Sequence, residues 1–187
     1  MVRQRMTPFV LALALAVPAA AAAMPSPLAA PAHALAAQPA SAFVGTYTLN
    51  ARASDSVERA INEAASHMMF LIRGFGRSRM RGTNTAYHRV TIAEPGTDFA
   101  IAFDQRAAVH SPSNGTAVPW TREDGEKMQV STHVTDGKLV QTFTPPDGRR
   151  VNTYSLSPDG KTLTMEVVVT SPKLPQPLHY RLVFDRV

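Results

Sequence analysis

Five of the six histidines, His67, His88, His110, His133 and His179, lie in the expected domain and are the residues best equipped for metal, haem or proton-transfer chemistry, and they are scattered singly along the chain. No two share the spacing that sets metal ligands on one element, so only convergence from different strands would assemble a site. A haem held by one histidine is the sharpest version of that reading, and no local motif favours it. The carboxylates Glu123, Asp124 and Glu126 are close enough in sequence for acid–base work. They surround an Asp-Gly turn, however, where solvated side chains are the plainer expectation. There is no His-Glu-x-x-His, no Gly-x-Ser-x-Gly and no complete phosphate-cradling Gly-x-x-x-x-Gly-Lys-Ser/Thr. An enzyme is therefore the weaker reading, with no catalytic residue, cofactor or metal ligand assigned.

Neutral polar groups on apolar segments offer a different chemistry. Gln141, Asn152 and Tyr154 lie within strand-like runs, where such side chains either face solvent or orient a ligand by hydrogen bonds. Met68 adds an adaptable apolar surface, with core packing as its plainer use. Cations are concentrated instead: Arg73, Arg77, Arg79, Arg81 and Arg89 share a window without a single acid. A solvated helix end is the simple account of that window, and contact with an anionic membrane surface is the functional one. Nucleic acid is a poor partner for it, because the protein is expected to be exported.

Composition narrows the setting. Of the formal charge of +5, two units come from Arg3 and Arg5, leaving +3 for the rest. Those two arginines precede a short apolar run from Pro8 to Val17 and the small residues Ala19 to Ala23, the order of a secretory signal. Residues 1–23 are accordingly expected to be a signal peptide, and 24–42, almost wholly Ala, Pro and Ser, a disordered tether. The location expected is periplasmic or secreted. With no cysteine, the domain from 43 to 187 must be held by its core alone, and 44% hydrophobic residues suffice for one.

The elements that would position these groups are strands. Asp-Gly pairs at Asp124-Gly125, Asp136-Gly137, Asp147-Gly148 and Asp159-Gly160 favour tight hairpins, since both residues tolerate positive φ. Between them run Lys127–Val134, Lys138–Thr144, Arg149–Ser157 and Thr162–Thr170, followed by Leu178–Val187. Upstream, Phe43–Leu49 reads as a first strand. Val57, Ile61, Ala64, Ala65, Met68, Leu71 and Ile72 then recur at helical spacing, which predicts one amphipathic helix to about Arg73, stopped or kinked by Gly74 and Gly76, with a second helical turn from Arg77 to Arg81 left open. Strands resume near Ala86–Ala93, Asp98–Asp104, Ala107–His110 and Thr116–Thr121. About ten short antiparallel strands have an edge problem that closure removes. The expected fold is mainly β: an up-and-down barrel of 8–10 strands with a helix after the first.

Phe43-Val44-Gly45-Thr46-Tyr47-Thr48-Leu49 resembles the opening strand of the calycins, the lipocalins and fatty-acid-binding proteins, with Tyr47 where a Trp is usual. Asp136-Gly137-Lys138-Leu139-Val140-Gln141, Asp147-Gly148-Arg149 and the ending Phe184-Asp185-Arg186 are similar to the late hairpins and last strand of the fatty-acid-binding proteins. The resemblance implies a ligand cavity beneath a helical lid, with Tyr180, Leu182 and Phe184 pointing inward. It also implies that Arg186 packs across Tyr47 to close the barrel base, a contact whose plainer role is structural. The family's Arg-x-Tyr carboxylate clamp falls on Leu182 and Phe184, and its other arginine near Tyr154 or Ser155. A neutral pocket is therefore expected. The function implied is carriage of a small, neutral apolar ligand, with a filled barrel acting as an envelope interaction module as the alternative.

Overall fold

The computed structural model describes residues 39–94 and 96–187. The proposed signal, most of the proposed tether and Pro95 lie outside the described residues. Ala40–Phe43 form a short 3-10 turn leading into the barrel, so residues 40–42 lie within the fold rather than in the tether.

Ten antiparallel strands follow in one sheet: β1 (Gly45–Leu49), β2 (Arg89–Ala93), β3 (Asp98–Phe103), β4 (Val109–Pro112), β5 (Val118–Thr121), β6 (Lys127–Thr135), β7 (Lys138–Thr144), β8 (Arg149–Leu156), β9 (Thr162–Thr170) and β10 (Leu178–Arg186). Their order is β4-β3-β2-β1-β10-β9-β8-β7-β6-β5, so the first strand lies between the second and the last. The sheet curls until β4 approaches β6. There the Ser111 and Thr132 hydroxyls lie 2.5 Å apart, Gly115 N–H donates to the Thr132 carbonyl, and an isolated bridge joins Asn114 to His133. The result is the nearly closed up-and-down barrel expected from the strand count.

Most strands follow a period of two, which fixes what faces inward, while β3 and β7 each bury three residues in a row. Leu163, Met165 and Val167 of β9 and Leu178, Tyr180, Leu182 and Phe184 of β10 are buried, alternating with exposed or half-buried residues except at Val183. With Phe43, Tyr47, Ile92, Ile101, Leu139 and Tyr154 they form one large core, which Val57, Ile61, Met68 and Met80 of the helical segment join. Val109, Met128, Val130 and Phe143 form a second, smaller cluster.

Only one of the four Asp-Gly pairs makes the two-residue primed turn expected of all. Asp136 and Gly137 have φ of 49° and 69° and join β6 directly to β7. At Gly125 and Gly160 only the glycine is left-handed, closing longer turns in which its N–H donates to Arg122 or Ser157. Gly148 has a different reason to be glycine, because a Cβ would lie 2.6 Å from the Thr170 carbonyl oxygen.

The single helix expected to Arg73 is two helices, α1 (Val57–Ser66) and α2 (Phe70–Thr83). Ser56 caps α1 through Arg59 N–H, while Ser54 and Asp55 accept from the backbone of Val183 and Arg181, pinning the helix entry to β10. Val57, Ile61, Ala64 and Ala65 bury against the barrel. The break then falls at His67–Met69 and not at the glycines. Arg73 reaches back to the Ser66 and Met68 carbonyls at 2.9 and 3.2 Å, supplying the donors that the end of α1 lacks. Gly74 and Gly76 lie inside α2. Gly76 is packed so closely on Met68 that a Cβ would meet its Sδ at 2.5 Å. Beyond the break the apolar stripe no longer faces the core: Leu71 and Ile72 are exposed.

Candidate ligand-binding site

Beneath α2 the barrel holds a cavity of about 540 Å³, open at the rim. Met68, Ile72, Phe75 and Met80 of the helical segment form one wall, and Tyr87, Phe103, Trp120, Met128, Phe143 and Val169 form the others. Trp120 meets Phe143 edge to face at 5.7 Å, and Tyr87 lies 4.4 Å from Phe103. The lining is mostly apolar with a few polar groups placed together, the usual make-up of a small-molecule site.

Those polar groups come largely from β8, where Arg150, Asn152 and Tyr154 share the inward face. Arg150 is the group that alignment on Phe184 misses. Its Nε donates to Asn152 Oδ1 at 2.9 Å, its Nη1 to Asn84 Oδ1 at 3.1 Å and the Thr83 carbonyl at 3.3 Å, and its Nη2 to the Tyr180 hydroxyl at 3.3 Å. Among the described residues no carboxylate lies within 4 Å of it. Burial opposes its charge, but the oxygens of Tyr180, Tyr87 and Tyr154 outweigh that and hold its pKa above the ordinary arginine value. The expected neutral interior is therefore corrected: the cavity wall carries a cation. Period two from Asn152 and Tyr154 was the signal that could have found it.

The network continues inward. Tyr154 donates to Gln141 Oε1 at 3.1 Å, and Asn152 Nδ2 is within 3.3 Å of the Tyr154 hydroxyl and 3.4 Å of Gln141 Oε1. Burial pushes the Tyr154 and Tyr180 phenols up, so both are neutral donors. Gln141 Nε2 is buried with no partner.

The structure thus joins Gln141, Asn152, Tyr154 and Tyr180 in one network around Arg150, of which Asn152 and Arg150 reach the cavity wall together with Met68. Leu182 and Phe184 do not: both are fully buried in the large core. Where β1 pairs with β10, Arg186 lies over Tyr47, 5.1 Å from the ring centre, and donates to its hydroxyl at 2.5 Å and to the Ala42 carbonyl at 2.6 Å. Tyr47 in turn donates to the Phe43 carbonyl at 2.8 Å.

The arginine window is divided by the fold. Arg79 lies 3.7 Å from Glu126 and Arg81 forms a bidentate pair with Glu58, so acids remote in sequence meet two of the five. Arg73 serves as a cap, and Arg89 lies exposed on β2, apart from the helix. Glu123 and Glu126 border the cavity mouth, paired with Arg106 and Arg122, and Asp124 is held by Arg122. They are rim ion pairs. None of the five histidines lines the cavity, which removes the geometry that a single-histidine haem site would need there.

No protein-family model matches the chain, and no curated protein matches its sequence. Solved structures do match in shape. The apo lipid binding protein 8 of Caenorhabditis elegans superposes with a TM-score of 0.54 at 15% identity, covering 80% of this chain and 99% of that one. A secretory abundant heat soluble protein of Ramazzottius varieornatus gives 0.55 at 10% identity over 78% and 96%. The Schistosoma mansoni fatty acid binding protein in complex with arachidonic acid gives 0.50 at 16% identity over 79% and 97%. At such identities the likeness is one of fold: a nearly closed, ten-stranded antiparallel barrel with two helices after the first strand.

Proposed function

We propose that this protein is an exported carrier of a small, largely apolar molecule with one anionic or strongly accepting end. The observation that carries the reading is Arg150: a cation on the wall of an apolar cavity, met by neutral acceptors and no carboxylate. Burying a charge in that way is costly unless its hydrogen-bonding capacity is used, and a ligand carboxylate or phosphate would use it best. Volume and lining suit one acyl chain or a comparable apolar body. The fold likeness to a lipid binding protein and a fatty acid binding protein supports the same reading. Export rests on the basic, apolar and small-residue order of residues 1–23.

The test is native mass spectrometry of the protein purified from its own host, with an organic extract analysed for small molecules. Titration with a long-chain acid and the alcohol of equal length accompanies it. A stoichiometric apolar adduct lost on extraction, and tighter binding of the acid, are expected. A bare mass together with no binding of either probe would favour a scaffold whose barrel serves only to present its outer face.

A further inference from the structure

The N-terminal half of α2 exposes a run of apolar side chains, among them Leu71 and Ile72 of the stripe that the sequence pattern assigns to a buried face. Phe70, Leu71 and Phe75 are 83%, 86% and 75% exposed, and Met69 and Ile72 lie beside them. Leu71 and Phe75 are neighbours on one helical face, with Phe70 at its end. Contiguous apolar exposure on this scale marks an interaction surface, since isolated apolar residues are ordinary but clusters are not. The face is carried by one helix.

Charge indicates what covers it. From His67 to Ala93 the chain has no acid, and α2 carries Arg73, Arg77, Arg79 and Arg81. Glu58 and Glu126 engage Arg81 and Arg79, while Arg73 and Arg77 form no ion pair among the described residues. An apolar tip followed within two turns by unneutralised cations suits a bilayer interface: aromatic and aliphatic side chains enter the acyl boundary while guanidinium groups meet phosphate. A second copy of this chain would bring the same cations to the same face, and like charge opposes that pairing. We propose that Phe70, Leu71 and Phe75 form a wedge that docks the protein reversibly on an anionic lipid surface, with Arg77 at headgroup level. Ile72, Phe75 and Arg79 also line the cavity, so docking places its mouth against the lipid. The inference stands whether or not the cavity takes a ligand.

The experiment is co-sedimentation of the full chain with vesicles of phosphatidylcholine plus phosphatidylglycerol, and of phosphatidylcholine alone. The double variant Phe70→Ser/Leu71→Ser is chosen because neither residue lines the cavity, and its fold is checked by circular dichroism. Wild-type protein is expected to pellet with the mixed vesicles, less so as salt rises, and the double variant to partition at least about tenfold more weakly. Arg77→Gln should weaken the preference for phosphatidylglycerol. Failure of the wild type to pellet, equal pelleting of the folded double variant, or a concentration-dependent dimer abolished by that variant would overturn the proposal. Salt dependence of the wild type provides a readout that needs no variant.

Discussion

Arg150 and Tyr180 meet across an intervening strand: the guanidinium Nη2 donates to the Tyr180 hydroxyl at 3.3 Å although β8 and β10 both pair with β9. Tyr180 passes the contact on, donating to Asn84 Oδ1 at 3.3 Å at the end of α2. One cation thus ties the lid's last turn to two strands.

Replacing Arg150 by Met removes the charge while keeping much of the stem. The carbonyl and amide oxygens it serves border an open cavity, where water can take its place. Stability to urea is therefore expected to stay within about 1 kcal/mol of wild type. Affinity for a long-chain acid should fall at least about tenfold, as loss of a charge-assisted hydrogen bond implies. The matching alcohol should lose much less. Equal losses for acid and alcohol in the same titrations would mean that Arg150 shapes the lid and does not meet the ligand.

Where β1 pairs with β10, Tyr47→Phe keeps the ring under Arg186 but leaves the Phe43 carbonyl and the Arg186 guanidinium each short of one partner. Such a loss costs about 1 to 2 kcal/mol. Arg186→Met removes the cation from the ring face as well, and a double-mutant cycle with Tyr47→Leu should return a coupling of about 0.5 to 1 kcal/mol. Equilibrium urea unfolding measures both. A coupling near zero would leave the pair as a register contact of β1 and β10 alone.

The strands were legible because their signal is local. Lys138–Thr144 and Thr162–Thr170 are bounded by their own turn residues, and along Thr162–Thr170 alternation fixes which side is buried. The helical segment was not, because the stripe from Val57 to Ile72 is continuous in sequence, whereas the fold turns the chain at His67–Met69 and leaves its second half outside. Glycine signals misled for a related reason: Gly76 is needed for close approach to Met68, not for an end. Arg150 was hidden by relying on the ending Phe184-Asp185-Arg186 to locate the charge; the parity of Asn152 and Tyr154 on its own strand contained the answer. Ion pairs such as Arg79 with Glu126 depend on tertiary proximity and have no sequence signal.

The two glycines of α2 should respond oppositely to alanine. Nothing lies within 4 Å of the place a Cβ would take at Gly74, so Gly74→Ala gains helix propensity and should stabilise by about 0.5 to 1 kcal/mol. At Gly76 the same gain competes with displacement of Met68, whose Sδ and Cε would lie at 2.5 and 2.6 Å. Overpacking of that kind costs about 1 to 3 kcal/mol, so Gly76→Ala should be net destabilising, and adding Met68→Ala should recover less than it loses, because Met68 is itself buried. Thermal unfolding of the two single variants decides the point. A stabilised Gly76→Ala would show that Met68 repacks freely.

The mouth carries the clearest pH signature. Arg122 grips Asp124 through Nε and Nη2 at 2.9 and 2.6 Å, and with the Glu126 backbone N–H this holds the Asp124 carboxyl at about 2, below its usual 3.8. A carboxyl depressed on folding contributes stability that is complete above its unfolded pKa and is lost as protons bind in the folded state. The contribution is therefore present above about pH 4 and disappears on acidification toward about pH 2. Melting temperature followed through this range should fall less steeply for Asp124→Asn than for wild type. Glu58 and Asp147, held low by Arg81 and Lys173, keep part of the slope in the variant. Parallel curves for variant and wild type would show that the Arg122 grip persists as strongly in the unfolded chain, or that solvent screening at the rim cancels it.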